Sequence, residues 1–142
     1  MKTALVIFLA LYGAYYYVTA HYQIHDALVY AQKHPDPVTA PKIEYYVGFY
    51  HYQKSEYPQA QEAFTTLLMD YATCQYEERA LYYLGDAAEA SNNWDLAKAS
   101  LARYIDHFPD GKDRELVGKK LEMIRYHHGM DVPDFPSRES RE

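Results

Sequence analysis

A single cysteine, Cys74, stands among 142 residues. One thiol cannot close a disulfide within the chain or supply the several thiolates of a structural zinc site. Glycine is sparse as well, with six in all, and none builds a phosphate-cradling loop or a G-x-S-x-G elbow. Basic residues are short: 14 Lys and Arg oppose 20 Asp and Glu, for a formal net charge of -6. A general phosphate-backbone binder needs a basic surface, so nucleic acid is not an expected partner. With 49% apolar residues the chain can still build a core, and its length suits one domain.

Charge is wholly missing from Thr3 to Ala20, TALVIFLALYGAYYYVTA, just after Lys2. A helix crossing a bilayer needs about 20 apolar residues, with a range of about 17–25, so the stretch reaches the lower bound. Tyr12, Tyr15, Tyr16 and Tyr17 are then expected at the membrane interface, where aromatic rings are favoured. Two other readings stand beside an uncleaved anchor. Val18-Thr19-Ala20 has the small residues of a signal cleavage site, and the segment could instead be a buried first helix. With Lys2 on the cytoplasmic side, the rest of the chain faces outward.

Helical spacing continues through Ile24, Leu28 and Ala31, until His34-Pro35-Asp36-Pro37 stops it. Further helices are expected at about 42–54, 57–71, 76–91, 94–108 and 112–127, after a first helix over about 3–33. Their boundaries follow largely from a repeat. At an offset of 37, Tyr46-Val47-Gly48 matches Tyr83-Leu84-Gly85, Tyr57 meets Trp94, Ala60 meets Ala97, Phe64 meets Leu101, and Tyr71 meets Phe108. Each unit reads as a helical hairpin, in which Gly48 or Gly85 lets a neighbouring helix approach closely. Phe64 and Leu101 are the bulk that fills the space opposite, and Asn92-Asn93 mark the turn before Trp94. Lys112 to Tyr126 reads as a capping helix, and the proline-rich stretch from Gly129 as a loose tail.

The placement of Leu84-Gly85, Ala60, Ala97 and Pro109 resembles the tetratricopeptide repeat family over roughly residues 42 to 125. The period of 37 exceeds that family's 34, so extended turns are expected. The tracts YPQAQEAFTTLLMDY and NWDLAKASLARYIDHFP are similar to the bacterial envelope subgroup, which includes outer-membrane-assembly lipoproteins and coordinator proteins of the Tol system. Acylation near the start is not expected, since Cys74 is the only cysteine. Residues 11–35 stay open as a degenerate first unit. The resemblance implies protein binding along a concave face lined by the first helix of each unit. Carried onto this chain, the candidate positions are Tyr45, Phe49, Tyr52, Tyr82, Asp86 and Glu89, each set sharing one helix face. Packing between helices is the alternative role for Phe49 and Tyr82.

Nine acidic residues lie between Glu44 and Asp95 against Lys54 and Arg79, while seven basic residues follow Gly111. That separation could steer a basic partner or could simply keep the protein soluble. His21 and His25 share a face at metal-pair spacing but have no third ligand near in sequence. Cys74 has no base beside it, and no carboxylate pair stands out, so no enzyme, metal or cofactor is expected.

These readings give an all-α chain: an apolar membrane-anchor helix with its extension over 1–33, TPR-like repeats with a capping helix over 42–127, and a flexible tail over 128–142. The expected function is that of a membrane-anchored adaptor binding protein partners, single-pass in a bacterial inner membrane with its repeats in the periplasm. The alternative is an accessory subunit of a larger membrane complex, with Tyr12, Tyr15 and Tyr16 packed against other membrane helices.

Overall fold

The computed structural model describes residues 2–21 and 23–137, without the side chains of Lys2, Ala20 and His21. Those residues form α1 (Lys2–His21), α2 (Ile24–Lys33), α3 (Thr39–Gln53), α4 (Tyr57–Asp70), α5 (Glu77–Ala90), α6 (Trp94–His107) and α7 (Arg114–His128), and no strand is found among them. The all-α expectation is met.

The continuous helix expected over 3–33 is two helices, bent by 56° at their junction. Gln23 is the reason. Its backbone is extended, and its N–H donates to Asp26 Oδ2 at 3.0 Å, starting a new helix with its own cap. α3 starts earlier than expected, because the Asp36 carboxylate accepts the Thr39 N–H at 2.7 Å and Pro41 falls in the first turn. The Thr39 side chain, and then this backbone contact, hold the Asp36 carboxyl below the usual carboxylate range.

The offset of 37 is written into the backbone. Ser55 and Asn92 both take left-handed backbone, at φ 60° and 59°, and reverse the chain inside each hairpin. One residue later, Glu56 N–H donates to His51 O at 2.9 Å and Asn93 N–H to Ala88 O at 2.8 Å. Between hairpins, Cys74 N–H donates to Tyr71 O at 3.1 Å and Gly111 N–H to Phe108 O at 3.0 Å. The residues beyond a 34-residue period therefore sit between units: Tyr71 to Tyr76 and Phe108 to Asp113 are the long connections, while Lys54 to Glu56 is short. α2, α4 and α6 end alike, at His34, Tyr71 and Phe108, with φ of -124°, -134° and -124°. By this register α2 is the second helix of a unit, and α7 is the first helix of another.

Packing follows the same rule. A Cβ added to Gly48 would lie 2.7 Å from the Phe64 ring, and one added to Gly85 would lie 2.5 Å from Leu101. The two glycines thus hold equivalent close contacts within α3–α4 and α5–α6. Ala60, Phe64, Leu67, Leu84, Ala97, Leu101 and Tyr104 are buried in one core that reaches Val117 and Leu121 of α7. Leu28 of α2 joins Val47 and Ala63 in a smaller cluster. Each helix from α2 to α7 packs on the next, and α3 also touches α5, so α3, α5 and α7 form one layer and α2, α4 and α6 the other.

α1 stands apart in character. Every described side chain from Thr3 to Thr19 is exposed, Phe8 by 66%. No single described helix is long and apolar enough to cross a membrane, although α1 and α2 together meet that test by length and composition. At the other end, residues 129–137 have no regular structure, yet Phe135 is half-buried with the Arg103 guanidinium 4.6 Å above its ring.

Candidate partner-binding face

The layer of first helices carries the six candidate positions, and the structure divides them. Tyr45 is buried, only 4% exposed, and stacks on Tyr76 with ring centres 4.9 Å apart. Burial raises its phenol above the ordinary tyrosine pKa. Phe49 is half-buried against Tyr83, at 5.3 Å. Tyr52 packs on the same Tyr83 ring at 4.9 Å, and its hydroxyl donates to Asp86 Oδ2 at 2.7 Å. Burial and then the Asp86 carboxylate push the Tyr52 pKa strongly upward.

Asp86 and Glu89 are engaged from the far side by Lys120 of α7. Its ammonium donates to Asp86 Oδ1 and to Glu89 Oε2, the latter at 3.0 Å. Burial alone would lower the Lys120 pKa, but the two carboxylates outweigh it and the net shift is upward. Tyr52, Asp86, Glu89 and Lys120 therefore tie α3, α5 and α7 into one polar line. Lys120 was not singled out by the sequence reading. The signal was present: it lies 37 residues after Tyr83, which itself lies 37 after Tyr46.

Tyr82 lines a recess of about 410 Å³ with Glu78, Arg79, Tyr83, Tyr104, Lys112 and Asp113. At its floor the Tyr104 hydroxyl donates to Glu78 Oε1 at 2.8 Å and accepts the Asp113 N–H at 3.3 Å. Burial and the Glu78 contact raise Tyr104 to about 12. The acidic span is also less open than its sequence suggests. Glu44 is fully buried, and Glu77, 5% exposed, takes Arg103 at 2.9 Å and His107 at 2.7 Å. The Arg103 guanidinium, with the Lys120 ammonium on Asp86 and Glu89, thus neutralises part of the field that a basic partner would feel.

The four tyrosines expected at a membrane interface, Tyr12, Tyr15, Tyr16 and Tyr17, are exposed on α1. His25 is exposed on α2, and the side chain of His21 lies outside the described residues. No group of three or more His, Cys, Asp or Glu is placed to hold a metal among the described residues. Cys74 is half-buried, and burial raises its thiol pKa, the opposite of an activated nucleophile.

The hairpin geometry, the glycine contacts and the paired turns all point to one repeat type. A tetratricopeptide-repeat family model matches residues 79–111. The match covers α5 from Arg79, all of α6 and the connection to Gly111. It supports the repeat and not the narrower bacterial envelope subgroup. Neither the curated proteins nor the solved structures contain a match to the chain. Tetratricopeptide repeats generally mediate protein–protein interaction and are typically non-catalytic.

Proposed function

We propose that this chain is a membrane-anchored adaptor without catalytic activity, whose helical repeats bind and position partner proteins. The observation that carries the anchor is α1 itself: it is uncharged from Thr3 to Ala20, and its described side chains are exposed on every face. A helix apolar all round belongs in a protein interior or a bilayer, and the repeats do not enclose this one. Lys2 before the apolar stretch favours a cytoplasmic amino terminus and outward-facing repeats. The likeness of the repeat tracts to envelope proteins favours a bacterial inner membrane with the repeats in the periplasm.

An accessory subunit of a membrane complex is the second reading, and one register observation favours it. Phe8, Tyr12 and Tyr15 lie 37 residues before Tyr45, Phe49 and Tyr52. In α3 those positions face protein, so an aromatic face of this kind suits packing against another helix.

Vesicle flotation followed by gentle detergent extraction and affinity isolation tests both. The full chain should float and a Leu9→Asp, Leu11→Asp variant should not. Co-isolation of a stoichiometric assembly lost with Tyr12→Ala, Tyr15→Ala selects the subunit reading. A full chain that stays in the dense fraction ends the anchor.

A further inference from the structure

The repeat register exposes a place where a helix is missing. Position 83 on α5 grips the preceding first helix, for Tyr83 packs on Phe49 and Tyr52 of α3. Position 120 on α7 does the same one unit later, for Lys120 binds Asp86 and Glu89, the residues 37 after Phe49 and Tyr52. The corresponding position on α3 is Tyr46, which is 54% exposed. The second layer repeats the pattern. Leu67 and Tyr104 are buried at 0% and 1%, whereas Tyr30, 37 residues before Leu67, is 56% exposed. Tyr30, Tyr46 and Tyr50 therefore face the slot that α3 fills against α4 and α5.

The chain's own α1 does not fill that slot. In the two complete units the chain reverses through left-handed Ser55 and Asn92. The residue in that register is Val18, a β-branched residue for which such backbone is strongly strained, and α1 runs through it without turning.

We propose that the edge formed by Tyr30 of α2, by Lys42, Tyr46 and Tyr50 along α3, and by Lys54 at the C-cap of α3 binds a helix of a partner protein. That helix presents aromatic side chains at i, i+4 and i+7 and carboxylates toward its two ends. The aromatic spacing is that of Tyr45, Phe49 and Tyr52, which occupy the equivalent slot on α5. The carboxylates follow from charge. Lys42, Tyr46, Tyr50 and Lys54 form one exposed stripe spaced by four, about 18 Å long, with an ammonium at each end. Lys54 lies 4.9 Å over the Tyr50 ring, so its charge is held at the stripe. Arg79, which is 37 residues after Lys42, stands within reach of the Tyr45 hydroxyl and so marks what a cation there does. The α1 of a second copy has the aromatic spacing but no carboxylate from Thr3 to Ala20, and in the anchored state it lies in lipid. This inference rests on the adaptor reading and specifies its partner.

The test uses the full chain in lipid nanodiscs and a soluble helical peptide bearing Phe, Tyr and Tyr at i, i+4 and i+7 with glutamates near both ends. Fluorescence anisotropy of the labelled peptide should report saturable binding. Tyr46→Glu, at an exposed position, should weaken it at least about tenfold. The pair Lys42→Glu, Lys54→Glu should reverse preference toward the same peptide with lysines in place of glutamates. Circular dichroism checks that both variants stay folded. Failure to bind, equal binding by Tyr46→Glu, or equal binding of a peptide with serines for the aromatics would overturn the proposal. So would a photocrosslinker at Tyr46 that captures α1 of another copy. Flotation and affinity isolation on the same variants keep the readings apart: a Tyr46→Glu chain that still floats and still recovers its partners leaves the adaptor standing while this edge is discarded.

Discussion

At the residue scale, the decisive positions are the glycines, and they differ from one another. Gly85→Ala would gain about 1 kcal/mol in helix propensity but would drive a methyl into Leu101, which is 1% exposed and has no room to move. Overpacking of a sealed site costs about 1–3 kcal/mol, so the net change should be destabilising. Gly118, with nothing within 4 Å of its added Cβ, should give the opposite sign, a gain of about 0.5–1 kcal/mol. Urea midpoints of the two alanine variants check the contrast. Tyr104 supplies a pH signature. Its folded pKa of about 12 lies above the ordinary value of 10.0, so its contribution is fully present below pH 10 and is lost as pH rises toward 12. Tyr104→Phe should cost about 1 kcal/mol at neutral pH, through the lost Glu78 contact, and should flatten the alkaline fall in stability. The fall should not vanish, since Tyr45, Tyr82 and Lys120 are raised in the same sense. Denaturation followed by circular dichroism from pH 7 to beyond pH 11 measures both effects.

At the element scale, α7 is more than a lid on the core. It carries Val117, Leu121 and Ile124 against α6 and reaches back to α5 through Lys120. The side chains of Asp86, Glu89 and Lys120 are 25%, 29% and 22% exposed, so water shares their charge and the contact is weaker than a sealed pair. Lys120→Met should therefore cost about 1 kcal/mol, less at high salt, while Lys120→Arg should restore much of it. Thermal melts at two salt concentrations decide this. The elements were largely legible in the sequence because the pattern of Gly48, Ala60 and Phe64 recurs 37 residues on, and each member has one packing role. The break at Gln23 was not legible. Capping by Asp26 is a three-residue signal inside an otherwise continuous apolar spacing, and periodicity alone cannot see it.

At the scale of the whole molecule, the chain combines a packed layered body from α2 to α7 with an apolar helix that contributes no buried side chain among the described residues. Deleting residues 2–19 should leave the melting temperature of the body nearly unchanged while abolishing flotation. Differential scanning calorimetry and vesicle binding on the truncated chain test the two parts separately, and a collapse of the melt would mean that α1 supports the fold. Sequence by itself determined the helical class, the period and the close contacts at Gly48 and Gly85, because these are local matters of spacing and volume. Tertiary structure alone decided which polar groups are already taken. Asp86 and Glu89 looked available as carboxylates on an exposed helix face, but Lys120 reaches them from another helix, 34 and 31 residues away respectively. It decided also that Tyr46 lies open while Tyr83 is covered. Those two residues are equivalent along the chain, and only the presence or absence of a preceding helix in space separates them.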